Sequence, residues 1–318
     1  MAWLIALENR TFSLLLSNLF IGLCKGSRIL QNYSKVFNND LGYEIFKFEP
    51  SFTSSAGRVN PDVIIISDKV ENTLIVEWTE ASSVGDDKMN QLNRYSKITN
   101  NDLVNVAAIP ITSVKTYDTM LIVLPDSFIN YDSFLKSRHI EFPILTFEIQ
   151  TDQYFLDKKS SSFRESKTNE FFTNGIKIQR IPLHYLPIQL DQISIQSVVT
   201  FVVRHLISLI IKGVPEFSIE EFCEGYIPVW KFIDLVKQSQ IKKVTKKVLS
   251  DLISDLIKKP IGANILIRIV ENPPKWKIKD DFNIKVRKKS VIKSLEEFIK
   301  EEKGETYQLE IDFNQDNE

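Results

Sequence analysis

Two acids stand where acids are costly. Asp62 opens the apolar run VIIIS, and Glu77 lies inside the next run, TLIVEWTE. An unpaired carboxylate buried in such a strand is strongly destabilising. The short polar turn DKVEN separates the runs. A hairpin closing around Lys69 and Val70 would set Asp62 directly opposite Glu77, with Cβ atoms roughly 4.5–5.5 Å apart. Like charges at that range repel unless a cation lies between them. Two carboxylates with bound waters suit a hard divalent ion such as Mg²⁺ or Mn²⁺. The competing reading has both acids wet at strand ends in another register. A slip of one residue would send the two side chains to opposite faces.

The polar stretch DDKMNQLNRYSKIT, which reads as a helix, follows the second acid. Gln91 and Tyr95 are four apart and share a helix face, and Lys88 lies on the same side three residues before Gln91. These residues carry a family resemblance. "PD" at Pro61-Asp62, about fifteen residues, and then an acid in an apolar strand resembles the PD-(D/E)XK nuclease superfamily. "QLNRY" (Gln91 to Tyr95) is similar to the QLxxY helix of its RecB-type members, and GRVNPDVII looks like the approach to their first acid. The resemblance covers about residues 40–125. It implies a restriction-endonuclease-like α/β core and a metal-dependent DNA endonuclease. Asp62 and Glu77 would then be the ligands of Mg²⁺ or Mn²⁺, with Gln91 and Tyr95 turned towards them. Glu44 could complete the coordination, or be a solvated strand-edge acid. Arg58 could contact a phosphate, or be a surface-loop arginine.

One position departs from the pattern. The family's lysine belongs two residues after the second acid, where this chain has Thr79. Two readings stay open. The lysine has moved to Lys88, whose long stem could reach the site; Lys69, at the far end of the hairpin, is the poorer substitute. Alternatively the fold persists as a degenerate DNA-binding or assembly scaffold that does not cut.

The elements that must hold these residues give the fold class. Residues 1–40 read as helix, GYEIFKFEP as a strand, and SFTSSAGRVN as a turn-rich loop. TYDTMLIVLPD and FPILTFEIQ read as strands, with helix around Tyr131–Lys136. The order helix, strand, strand, strand, helix, strand predicts an α/β domain with a mixed sheet over 1–185. Within it the polar segment 151–185 is a connection or an elaboration. A connecting helix over 186–215 ends at Gly213-Val214-Pro215. A basic domain over 216–293 and an acidic tail over 294–318 follow. Lys231 to Lys293 holds 17 Lys and Arg against 6 Asp and Glu, and Leu295 to Glu318 holds 2 against 9. FSIEEFCEGY, VWKFIDLVKQSQ and KKVTKKVLSDLISDLIKK read as three helices, and ILIRIV and KWKI as two strands. The first helix carries a capping box of Ser218 and Glu221. Three helices and a wing resemble a winged-helix domain, which implies duplex DNA as partner. Lys242, Lys243, Lys246 and Lys247 would crowd the N-terminal turns of the third helix, where an anion would offset their conflict with the helix dipole. Arg268, Lys275 and Lys277 would touch DNA from the wing.

Other classes find little support. The overall charge is −1, with 43% hydrophobic and 25% charged residues, which is ordinary for a globular chain. Two distant cysteines, Cys24 and Cys223, and three histidines argue against zinc. There is no GxxxxGK[ST] loop and no GxSxG elbow. The apolar stretches 11–24 and 198–211 read as buried helices: the first lacks a basic leader, and the second carries Arg204 and His205. A soluble, cytoplasmic protein without membrane contact is expected. A homodimer would suit cutting of both strands.

Overall fold

The computed structural model describes residues 12–151, 153–182, 185–253, 266–269, 275–278 and 293. The chain divides into two compact units. One is Met1–Leu186 with Lys231–Leu235, the other Pro187–Trp230 with Val236–Glu318.

The first unit is built on a mixed seven-stranded sheet. In chain order its strands are β1 (Glu44–Phe48), β4 (Val63–Ser67), β5 (Asn72–Thr79), β6 (Thr116–Val123), β7 (Ile144–Gln150), β8 (Gln153–Ser160) and β9 (Ile176–Ile178). They lie side by side in that same order. The pairs β5–β6 and β6–β7 are parallel and the remaining neighbours antiparallel. β5 is central and buried along all but its last residue, as expected of a near-continuous Val/Ile/Leu run covered on both faces. Helix α1 (Phe12–Lys25) covers one face: Phe20 stacks on Trp78 with ring centroids 6.5 Å apart. Helices α2 (Asp86–Tyr95) and α3 (Phe128–Ser137) cover the other. There Leu92, Tyr95, Tyr131 and Leu135 share one core with Ile64, Ile75 and Leu121.

Two expectations change, and one left open between two readings is resolved. The loop over 51–60 contains a small hairpin of β2 (Phe52–Ser54) and β3 (Gly57–Val59). The segment 151–185 elaborates the sheet, adding β8, β9 and helix α4 (Ser166–Thr173). Its lysines and serines disguise a strand in which only Tyr154 and Leu156 are buried. The helix expected over 1–40 ends at Lys25, followed by Gly26 at φ 77°, and short helical turns continue at Arg28–Leu30, Gln31–Ser34 and Lys35–Asp40. Residues 1–11 lie outside the described ones.

The second unit opens with α5 (Ile195–Lys212), whose Ser194 forms a capping box with Ser197 and whose left-handed Gly213 ends it. β10 (Glu216–Ser218) and α6 (Ile219–Tyr226) follow, with the expected Ser218–Glu221 box. Helix α7 (Leu235–Ile253) is next, then strands β11 (Leu266–Ile269) and β12 (Lys275–Ile278). The three strands form an antiparallel sheet in the order β10-β12-β11. VKQSQ and KKVTKKVLS, expected in separate helices, form one helix. No Gly or Pro interrupts Leu235–Ile253, so the helix propagates through. Lys242 to Lys247 therefore sit in mid-helix, and the expected conflict with the helix dipole does not arise.

By length and composition α5 is apolar enough to cross a membrane, longer than the stretch weighed in the sequence. Eight of its residues are buried within the described chain, Val202, Val203 and Leu206 among them. Phe12–Lys25 and Arg28–Asp40 pass the same test only when taken together, and they bend by 82°.

Packing in this unit turns on one glycine. A Cβ at Gly225 would lie 2.3 Å from Nε2 of His205, whose ring meets Phe222 edge-on at 4.7 Å. Gly225→Ala is expected to cost about 1–3 kcal/mol, the range for overpacking, seen as a lower melting temperature. His205→Ala in the same chain should recover part of it.

Candidate active site

The hairpin register sets the site. β4 and β5 pair from Val63↔Val76 to Ser67↔Asn72, the register expected from the sequence, around a turn holding Lys69 and Val70. Asp62 stands just before the ladder, its N–H donating to Val76 O at 3.1 Å. Side chains alternate along β5. Trp78 turns towards α1, while Glu77 turns towards α2, into an otherwise apolar layer. Glu77 is only 4% exposed.

Helix α2 answers that buried charge. Lys88 Nζ donates to Glu77 Oε1 and lies 3.4 Å from Trp78 O. Tyr95 donates to Glu77 Oε2 at 2.7 Å, and Gln91 Nε2 donates to the Tyr95 hydroxyl at 2.8 Å. Both carboxylate oxygens are therefore held, one by a cation and one by a relay of two neutral donors. Asp62 Oδ2 accepts the Trp78 N–H at 2.7 Å. Asp62, Glu77, Lys88, Gln91 and Tyr95 thus form one cluster. Thr79 lies two residues beyond Glu77, half-buried, and its hydroxyl accepts only a local N–H from Ala81 at 3.2 Å.

The electrostatics leave a deficit of positive charge. Burial pushes the Asp62 carboxyl well above the usual carboxylate range, and the Glu77 charge pushes it further; the Trp78 N–H and Lys88 draw it back only in part. Burial also raises Glu77, against the pull of Lys88 and the Tyr95 hydrogen bond. Burial and then Glu77 raise the Tyr95 phenol, so it remains a donor. One lysine facing two close carboxylates is a donor set that suits a hard divalent cation. Mg²⁺ commonly takes one or two carboxylates and fills its other positions with water and substrate phosphate. Among the described residues no group of three or more His, Cys, Asp or Glu gathers in metal-holding geometry, so Asp62 and Glu77 alone would be the side-chain ligands.

Glu44 does not join them. It is exposed and pairs with Ile66, four residues along β4 from Asp62, or about 13 Å at ~3.3 Å per residue. The acid nearer Asp62 is Glu49, which the sequence does not single out. Its N–H donates to Asp62 O at 2.8 Å, and its charge adds to the rise in Asp62. Glu49 holds a φ of 43°, a backbone region uncommon for non-glycine residues. Arg58 is exposed on β3, donating to Ser51 Oγ at 2.8 Å and Asn60 Oδ1 at 3.3 Å.

In the second unit, Lys243, Lys246 and Lys247 are exposed on α7. Lys242 is engaged locally, 2.8 Å from Glu220 and 6.0 Å from the Trp230 ring centre. Lys275 pairs with Glu216 at 3.0 Å, and Lys277 is half-buried on β12. Arg268 lies on β11, with its side chain outside the described ones.

A family model, the MJECL32 domain, matches residues 13–186, just over half of the chain. The chain belongs to the MJECL32 domain family. No curated protein and no solved structure matches it. The MJECL32 region runs from α1 past β9 and contains every member of the Asp62–Glu77 cluster. Its name carries no activity, so a functional reading rests on the geometry of the cluster.

Proposed function

We propose that the MJECL32 domain of this chain is a metal-dependent DNA endonuclease with a restriction-endonuclease-like core, hydrolysing phosphodiester bonds. The observation that carries the reading is the lysine. Thr79 stands where the resemblance calls for a cation, and Lys88 brings one to the same carboxylate from the helix. In support, α1, β1, β4, β5, α2 and β6 follow one another in the order helix, strand, strand, strand, helix, strand expected from the sequence, with the β2–β3 hairpin inserted, and form an α/β core. Asp62 and Glu77 would hold Mg²⁺ or Mn²⁺. When bound, such an ion supplies a water of lowered pKa and positive charge against the phosphate oxygens. Tyr95 and Gln91 fix the Glu77 rotamer, and Lys88 sets its charge beside the phosphate. In the second unit the expected second and third helices are one, α7, so a winged-helix reading has to count α5, expected as the connecting helix, with α6, α7 and the sheet ordered β10-β12-β11. There the exposed Lys243, Lys246 and Lys247 would meet the DNA backbone.

One observation favours a second reading. Both oxygens of Glu77 are already held by Lys88 and Tyr95, as in a structural ion pair inside a non-cutting DNA-binding scaffold. Incubation of supercoiled plasmid with Mn²⁺ or Mg²⁺ separates the two. The wild-type chain is expected to nick it, and Asp62→Ala and Glu77→Ala are expected not to. Equal cutting by all three, or none by any, would leave only the scaffold.

A further inference from the structure

Beside the cluster, and sharing Lys88 and Gln91 with it, α2 lines a polar groove. One part is bounded by Asn60, Lys88 and Arg94 and has a volume of about 480 Å³. A second part, of about 450 Å³, shares Asn90 and Arg94 as walls and continues to Lys97 and Arg138. Each falls within the ~300–1,000 Å³ typical of ligand clefts, yet the lining is polar, unlike most small-molecule pockets. Its charged groups are Lys88, Arg94, Lys97 and Arg138 against the single acid Asp87, and amides fill the spaces between. Such a surface suits a chain of phosphates better than an apolar ligand.

Arg94 is the centre of this surface. Its stem lies against the β2–β3 hairpin, where a Cβ at Gly57 would come within 3.2 Å of Arg94 Cδ. Its Nε is buried with no hydrogen-bond partner. Burial of Nε fixes the guanidinium in place, Arg94 lines both parts of the groove, and a guanidinium fork matches phosphate oxygens in geometry and charge. Lys97 and Arg138 are exposed further along, so the cations form a line leading away from Glu77 and Lys88.

We propose that this groove is the track of a nucleic-acid backbone, with Arg94 binding the phosphate next to the one held by Lys88. Lys97 and Arg138 bind those beyond it. The inference rests on the endonuclease reading but fails separately from it. The test uses the full chain in EDTA and a short fluorescent DNA, duplex and single-stranded, with anisotropy followed across a salt series. Arg94→Gln is expected to weaken binding and lower the slope of log K against log salt by about one. Lys97→Gln with Arg138→Gln, both on exposed residues, is expected to lower it by about two. Arg94→Lys should keep the slope, which separates charge from fold. Wild-type nicking with Mn²⁺ alongside unchanged slopes and KM in the groove variants would overturn the track and leave the nuclease. No nicking by wild type, but Arg94-dependent binding, would overturn the nuclease and leave the track.

Discussion

Lys88→Met is expected to lower Mn²⁺-dependent nicking by about 10²–10³-fold, the scale of losing one preorganised charge-stabilising donor, and Thr79→Lys in the same chain is expected to restore part of it. The argument is one of position. Glu77 and Thr79 share a face of β5, and the Lys88 ammonium reaches the Glu77 carboxylate and the Trp78 carbonyl. A lysine at 79 would start from the strand and one at 88 starts from the helix, yet both can deliver a charge to the same carboxylate. Stability needs a separate reading. Removing one partner of a buried pair costs about 3–5 kcal/mol when the other stays charged. Here Glu77 can take up a proton and avoid part of that cost. Glu77→Gln with Lys88→Met removes the charge entirely and should melt above Lys88→Met alone. Wild-type nicking by Lys88→Met would remove the lysine from the chemistry and leave it a structural counter-ion.

What the sequence shows of this site follows from the period of its strands. Two acids symmetric about a short turn can face each other in only one register, and that register was readable because apolar residues flank both acids. Helical spacing likewise set Lys88, Gln91 and Tyr95 on one side of α2. Which of them would touch Glu77 was not readable, since that depends on how far α2 stands from the sheet. Glu44 shows the opposite case. It lies on the neighbouring strand, but β1 runs antiparallel to β4, so the acid that approaches Asp62 comes from the far end of β1, at Glu49. Pairing direction, which no single strand encodes, made the difference.

Two other regions were hard to read for separate reasons. β8 buries two residues in eight, too few to give a period against its lysines. At α7 a cluster of four lysines marks no helix end, because helix-forming residues without Gly or Pro run continuously through it from Leu235 to Ile253. The groove along α2 was invisible for a third reason. Arg94 and Lys97 are near in sequence to the cluster, but Asn60 comes from the approach to β4 and Arg138 from the end of α3. Only the sheet brings them to one face.

Asp62→Asn is expected to melt above wild type at neutral and alkaline pH in EDTA, with the difference vanishing towards pH ~4, where ordinary carboxylates take up protons. The folded chain holds the Asp62 carboxyl well above that range, through burial first and the Glu77 charge second. Between the unfolded and folded values the native state therefore binds the extra proton, and stability falls as pH rises through that window. Above it the full cost of two facing carboxylates is present. Asparagine cannot ionise, but its carbonyl still accepts the Trp78 N–H. An advantage on the order of 1 kcal/mol would raise melting by about 2–4 °C in a domain of this class. Other groups pull the opposite way. His205, held down to about 4 by burial, loses stability as pH falls from its ordinary value towards that one, but it does so in both proteins and cancels in the difference. Mn²⁺ should reverse the order. Binding only the native wild type, it stabilises by mass action, about 2.7 kcal/mol at a hundred times Kd, whereas Asp62→Asn has lost a ligand and gains little. Melting curves that coincide at every pH, with and without Mn²⁺, would mean that Asp62 carries no strained charge and holds no ion.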